Sequence, residues 1–84
     1  MQSFMIVQMI EFLVKSIVDK PLQVKVLCID KDAKKIVQVS VASADLPRVI
    51  GAEGKIFRAL RGLVTIVGAS QDAAEYDLVV DVVA

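Results

Sequence analysis

Apolar residues recur at helical spacing from residue 3 to residue 18. Ile6, Ile10, Leu13 and Ile17 form one stripe, with Val7, Val14 and Val18 beside it. The pattern predicts an amphipathic helix with Ser3 as a candidate N-cap. Lys20-Pro21 ends it, because the residue before a proline avoids the helical region. The period then changes to two. From Leu22 to Ile29, alternate residues Leu22, Val24, Val26 and Cys28 share one face of a predicted strand. The polar stretch Asp30 to Lys34 reads as a turn, and Ile36 to Ala42 alternates again, with Val37, Val39 and Val41 on one side. Two alternating runs joined by a few polar residues predict an antiparallel hairpin. Ser43 or Asp45 is placed to cap a short helix through Ile50, with Pro47 in its first turn. Helical spacing returns from Lys55 to about Val67, with Ile56, Leu60, Leu63 and Val67 as the expected buried stripe and Gly68 as its stop. Residues 69–74 read as a loop. In the last segment Tyr76, Leu78, Val80 and Val82 alternate with Asp77, Val79, Asp81 and Val83 as a final strand.

The predicted order is α-β-β-α-α-β. Three strands in one sheet with the helices on one face make a two-layer α+β fold. The 84 residues suffice for one small domain, residues 1–84, and show no linker or repeat. A chain of this size buries only about 60–65% of its unfolded surface. A hydrophobic content of 56%, mostly Val, Ile, Leu and Ala, compensates for that thin core. Met5, Met9 and Phe12 project away from the main stripe of the first helix. The favoured reading packs them under the other helices; the other makes them a self-association or partner surface.

Composition removes several chemistries. No histidine occurs, which excludes Ser-His-Asp and Cys-His nucleophile pairs and most zinc sites. Cys28 is the sole cysteine, so no internal disulfide forms, and it reads as a space-filling strand residue suited to a reducing cytosol. The apolar N-terminal run is interrupted by Gln8, Glu11 and Lys15, unlike a membrane span, and lacks the basic start of a signal peptide. No cofactor, metal or catalytic constellation is indicated. Asp77 and Asp81 share a strand face and read as a solvated surface rather than a metal or acid–base pair, and Tyr76 reads as core or sheet edge rather than a base-stacking platform.

Formal net charge is zero, yet the charge is unevenly spread. Between Leu46 and Val64 stand Arg48, Lys55, Arg58 and Arg61 against Glu53 alone, whereas Asp72, Glu75, Asp77 and Asp81 make the C-terminal part acidic. The cations surround the stretch VIGAEGKIFRAL, in which Gly51 and Gly54 separate two helices. Glycine permits a sharp reversal and lets a ligand approach the main chain. The helix that follows points its unpaired N–H groups and positive dipole end at the bend, an arrangement that attracts phosphate. Lys55 and Arg58 lie one turn apart on that helix and can flank one anion; Arg48 approaches from the preceding helix, and Arg61 extends the basic edge. The alternative for each is a solvated helix face, or for Arg48 an ion pair with Asp45.

V-I-G-x-x-G followed by a helix, in a chain of this order, resembles a KH domain of the bacterial topology, type II. EFLVKSIVDKP, ADLPRVIGAEGKIFRALRGLV and the short length resemble the small bacterial single-KH RNA-binding proteins, the KhpA-type group. The resemblance covers essentially the whole chain. It implies a three-stranded mixed sheet with helices on one face and a cytoplasmic, non-enzymatic protein binding single-stranded RNA. It also implies an association with RNA chaperoning or post-transcriptional control, and a homodimer or a heterodimer with another KH-type protein. Carried over by position, Gly51, Ala52, Glu53 and Gly54 form the loop that grips the sugar–phosphate backbone. Val49, Ile50, Ile56, Val39 and Val41 would give the adjoining groove apolar support. Two positions depart from the usual pattern. The variable pair of the loop is Ala52-Glu53 where a basic residue is usual, and Pro47 stands where glycine is common. An exposed carboxylate beside phosphate costs about 1 kcal/mol in like-charge repulsion. The second reading is therefore a KH-fold protein-interaction or dimerisation module with little RNA affinity.

Overall fold

Alternation of β-branched residues builds the centre of the molecule. In the computed structural model, which describes residues 2–72 and 75–83, three strands pair as one sheet in the order β1-β2-β3. Strands β1 (Lys25–Lys31) and β2 (Lys34–Val41) are antiparallel, and β2 pairs in parallel with β3 (Glu75–Val82). Helices α1 (Gln2–Ile17), α2 (Leu46–Ile50) and α3 (Lys55–Asp72) cover one face. The α-β-β-α-α-β order and the mixed sheet are those expected from sequence.

The hairpin is tighter than predicted. Lys31 pairs with Lys34, so Asp32 and Ala33 alone make the turn, with Asp32 in the left-handed region at φ +59°. Asp is among the residues that tolerate this conformation. Val37, Val39 and Val41 of β2 are fully buried with Tyr76 and Leu78 of β3. Ile6, Ile10 and Val14 of α1, Val49 of α2, and Leu60 and Val64 of α3 close over them. Each such side chain removed from water contributes about 1.5–3 kcal/mol.

Several boundaries and faces differ from the expectation. Leu22 belongs to a 3₁₀ turn, Pro21–Gln23, and is 96% exposed, so β1 begins only after Val24. Proline suits the first position of that turn, where its missing N–H leaves no bond unmade. Helix α1 already includes Ser3, which is therefore not its N-cap. Met9 packs at the core margin, but Met5 and Phe12 are exposed, Phe12 by 71%, so they do not lie under the other helices. On α3 the buried stripe is Phe57, Leu60, Val64 and Val67; Ile56 and Leu63 are displaced to the exposed margin. Gly68 does not stop the helix, which continues to Asp72. It is buried beneath Tyr76, whose ring stands where any Cβ at this position would have to be. The expected loop 69–74 thus shrinks, and its residues 73 and 74 lie outside the described residues. Among the described residues no helix is long and apolar enough to cross a membrane.

Among the described residues the opposite face of the sheet carries no helix. Leu27 and Ile29 of β1 and Val79 of β3 are exposed there, alternating with residues that face the core.

Candidate nucleic-acid interface

The glycine stretch forms a sharp bend between α2 and α3. It contains three positive φ angles, at Gly51 (+78°), Glu53 (+57°) and Gly54 (+73°). Gly51 is required twice over. Besides its φ, a Cβ there would lie 2.7 Å from Ile56 Cγ1 and 2.9 Å from the Ile56 backbone nitrogen. At Gly54 a Cβ would meet only Arg58 Nη1, at 3.1 Å, which places the Arg58 guanidinium directly over the bend. Internal hydrogen bonds fix the reversal. Gly51 N–H donates to Pro47 O at 2.8 Å, and Gly54 N–H donates to Gly51 O at 3.1 Å. Ala52 and Glu53 follow Gly51 in a 3₁₀ turn, Ala52–Gly54. Both residues are exposed. They stand beside the N-terminus of an 18-residue helix, a geometry that suits an anion.

The predicted cations divide into two groups. Arg58 and Lys55 belong to the bend. Lys55 is well exposed, with Nζ 3.7 Å from Glu53 Oε1. This solvated pair contributes little to stability and is readily exchanged for another anion. Arg48 and Arg61 are committed elsewhere. Arg48 Nη2 donates to Asp19 Oδ2 at 3.0 Å, and its Nε lies 3.7 Å from Asp45 Oδ1. Arg61 Nε lies 2.9 Å from Asp77 Oδ1, tying α3 to β3. The carboxylate of Asp77 is thus an ion-pair partner rather than an idle surface group.

Apolar support is arranged in depth. Val49, Val39 and Val41 are fully buried and hold the frame from below. Ile50 is half-buried, and Ile56 sits against Gly51. Phe57, the nearest aromatic residue, packs on the core and is not presented for stacking.

One residue of the frame does more than the cap or the Arg48 ion pair expected of it. Asp45 is 1% exposed and occupies the N-cap position of α2, yet its carboxylate makes no capping bond. Instead Oδ1 accepts from Asp19 N–H and Oδ2 from Lys20 N–H, each at 3.0 Å. The buried carboxylate therefore fastens the segment after α1 to the start of α2. The sequence signal for this was faint: an Asp just before a proline-bearing helix predicts a local cap, not a bond spanning 26 residues.

A shallow cavity of about 410 Å³ lies elsewhere, at the hairpin turn, lined by Lys31, Asp32, Ala33, Lys34, Ile36 and Glu75. Among the described residues no group of three or more Cys, Asp or Glu side chains is placed to hold a metal ion.

The family model for the KhpA/KhpB KH domain matches residues 7–80 of this chain. The RNA-binding protein KhpA of Borreliella burgdorferi is 40% identical over 63 residues, covering 75% of this chain and 73% of the relative. KhpA of Treponema pallidum, also described as RNA-binding, is 37% identical over 68 residues, covering 81% of each chain. KhpA of Listeria monocytogenes, described likewise, is 37% identical over 65 residues, covering 77% of this chain and 86% of the relative. No solved structure is a significant match.

Proposed function

Because the chain belongs to the KhpA/KhpB family of KH domains, we propose that it binds single-stranded RNA without catalysing a reaction. The backbone of the strand is held at Gly51, Ala52, Glu53 and Gly54. The observation that carries this reading is the bend itself: an exposed reversal at Ala52 and Glu53, with Arg58 laid over Gly54 and Lys55 at the start of α3. The relatives' description as RNA-binding proteins supports it. Lys55 and Arg58 flank a phosphate, and Ile50 and Ile56 line the apolar wall beside it. Arg48 acts at one remove, holding the end of α1 against α2, and Arg61 is set aside from the site. With Phe57 turned inward, base stacking contributes little, so backbone contacts dominate and sequence preference is modest.

Such a grip is weak and screened by salt. That is the property required of a cytoplasmic RNA chaperone or post-transcriptional regulator that must release strands as readily as it takes them.

The test is a titration of a fluorescently labelled single-stranded oligoribonucleotide with wild type, Lys55→Ala, Arg58→Ala and the double variant, at two salt concentrations. Binding should weaken in each single variant and further in the double. Equal affinity for all four proteins would exclude the reading. These charge variants suit the test better than changes at Gly51, where any side chain strains the fold.

A second reading, a protein-interaction module, is favoured by Glu53, whose carboxylate already partners Lys55, and by exposed Met5 and Phe12 on α1. It takes the form of a homodimer or a heterodimer with another KH-type protein. If the oligonucleotide fails to bind while light scattering shows a stable dimer, this reading replaces the first.

A further inference from the structure

Two hydrogen bonds within β3 play no part in the nucleic-acid reading. Leu78 N–H donates to Asp77 Oδ1 and Val82 N–H donates to Asp81 Oδ1, each at 2.7 Å. Among the described residues β3 is an edge of the sheet, with β2 on one side only. The ladder shows which way its amides point. Val83 N–H donates to Val41 O at 2.8 Å, so Val83 faces β2, and with it Asp81, Val79 and Asp77 at alternate positions. The backbone groups of Tyr76, Leu78, Val80 and Val82 therefore face the free edge. Two of these four outward N–H groups, one at every second rung, are bonded to the carboxylate of the residue before.

We propose that Asp77 and Asp81 close the free edge of β3 to strand addition by any extended polypeptide. An added strand must bring a carbonyl oxygen to each outward N–H. At Leu78 and Val82 it meets a carboxylate oxygen, a charged acceptor where a donor is needed. The new ladder is broken at alternate rungs. Arg61, whose Nε lies 2.9 Å from Asp77 Oδ1, reaches from α3 to the same place and adds cover there. Composition shows why the upper part of the edge needs closing. From Leu78 to Val83 every residue except Asp81 is Leu or Val. An apolar, β-branched run of this length readily templates other strands once its edge is open, and a single charge within it is the usual remedy.

The rung between the two caps offers a way to move one of them. Val80 follows the apolar Val79 and so has no carboxylate before it. Val79 is 43% exposed and shares its face of the sheet with Asp77 and Asp81. An aspartate at position 79 would stand to Val80 N–H as Asp81 stands to Val82 N–H. Shifting the cap in this way separates an edge-closing role from a merely structural one at position 81.

Amide hydrogen exchange and thioflavin T fluorescence of the folded protein test it together. In wild type, Leu78 and Val82 N–H should exchange more slowly than Val80 N–H, each referred to the same sequence unfolded. Asp81→Ala should cost Val82 about tenfold in protection, the share of one hydrogen bond to a charged acceptor, and should shorten the lag before fibrils form. Asp81→Asn keeps an acceptor oxygen and should stay nearer to wild type in both readings. Val79→Asp added to Asp81→Ala should protect Val80 and lengthen the lag again. Position 81 is exposed, and urea unfolding checks that each variant keeps the stability of wild type. If Val79→Asp does not fold, the comparison of Asp81→Ala with Asp81→Asn decides. The proposal is overturned if Asp81→Ala leaves Val82 protected, if it forms fibrils no faster than wild type, or if a folded Val79→Asp variant fails to restore the lag. Equal behaviour of Asp81→Asn and Asp81→Ala also overturns it, because charge alone would then keep strands apart.

Discussion

Glu53 sits at φ +57° in the bend, in a conformation that glycine adopts freely and a glutamate does not, with its carboxylate 3.7 Å from the Lys55 ammonium. It therefore opposes nucleic-acid binding twice, by repelling phosphate and by occupying a cation. Glu53→Gln should tighten RNA binding about fivefold, and Glu53→Lys more, since about 1 kcal/mol of repulsion is removed or reversed; fluorescence anisotropy measures this. The two glycines separate by their surroundings. Gly51→Ala places a methyl group 2.7 Å from Ile56 Cγ1 and should destabilise by about 2–3 kcal/mol, whereas Gly54→Ala meets only the flexible tip of Arg58 and should cost about 1 kcal/mol. Urea unfolding distinguishes the two. The spacing of these glycines was legible because a bend between helices is a local event. Gly68 was misread for the opposite reason. Its neighbour in space is Tyr76, on another element, and a lone glycine late in a helix looks like a stop whether it ends the helix or admits a ring.

Between elements, the principal fastening is the Asp45 carboxylate beneath Asp19 N–H and Lys20 N–H. Asp45→Ala should destabilise the fold by about 1–3 kcal/mol, because it leaves two backbone donors without their acceptor, while Asp45→Asn keeps one acceptor oxygen and should cost less. Thermal or urea denaturation gives the order of the two. A change at Asp45 should also loosen Arg48, so that RNA affinity falls without any phosphate contact being removed. Element types were legible except at Leu22, read as strand but set in a 3₁₀ turn, and at residues 69–72, read as loop but helical; element faces were legible only in part. On α1 Ile6 and Ile10 of the expected stripe are buried and Leu13 partly so, but the core line passes to Val14 and leaves Ile17 exposed. On α3 apolar residues occupy more than half the circumference, so Ile56 and Leu63 fitted the helical period as well as Phe57 and Val64 did. Only the position of β3, and of the Arg61–Asp77 contact at its edge, decides which stripe turns inward. The start of β1 was misplaced because Leu22 continues the two-residue alternation although Pro21 has already turned the chain.

For the whole molecule, net neutrality is a poor guide to partners, since the cations at the bend act within a Debye length of about 10 Å. The logarithm of the RNA association constant should fall linearly with the logarithm of salt concentration, and Lys55→Ala should reduce the slope by about 0.7, the share of one phosphate contact on a single strand. The type II KH architecture was legible because hairpin, glycine bend and amphipathic helices each agree with it locally. The Arg48–Asp45 pair was legible, its residues standing three apart, but the Arg48–Asp19 and Arg61–Asp77 pairs were not, because they join residues far apart in the chain. One pairing governs how the molecule is assembled. Lys34 is hydrogen-bonded in register with Glu75, and the entire α2–bend–α3 connection lies between them. The two-residue hairpin can close early, but this parallel ladder must wait for that long excursion to be completed. A nascent polypeptide lacking its last strand would then display a finished ribbon and an unanchored glycine reversal. An oligonucleotide added during refolding should therefore report capture only in the slowest phase, after Tyr76 has docked under Gly68, so that affinity for RNA becomes a certificate of complete folding.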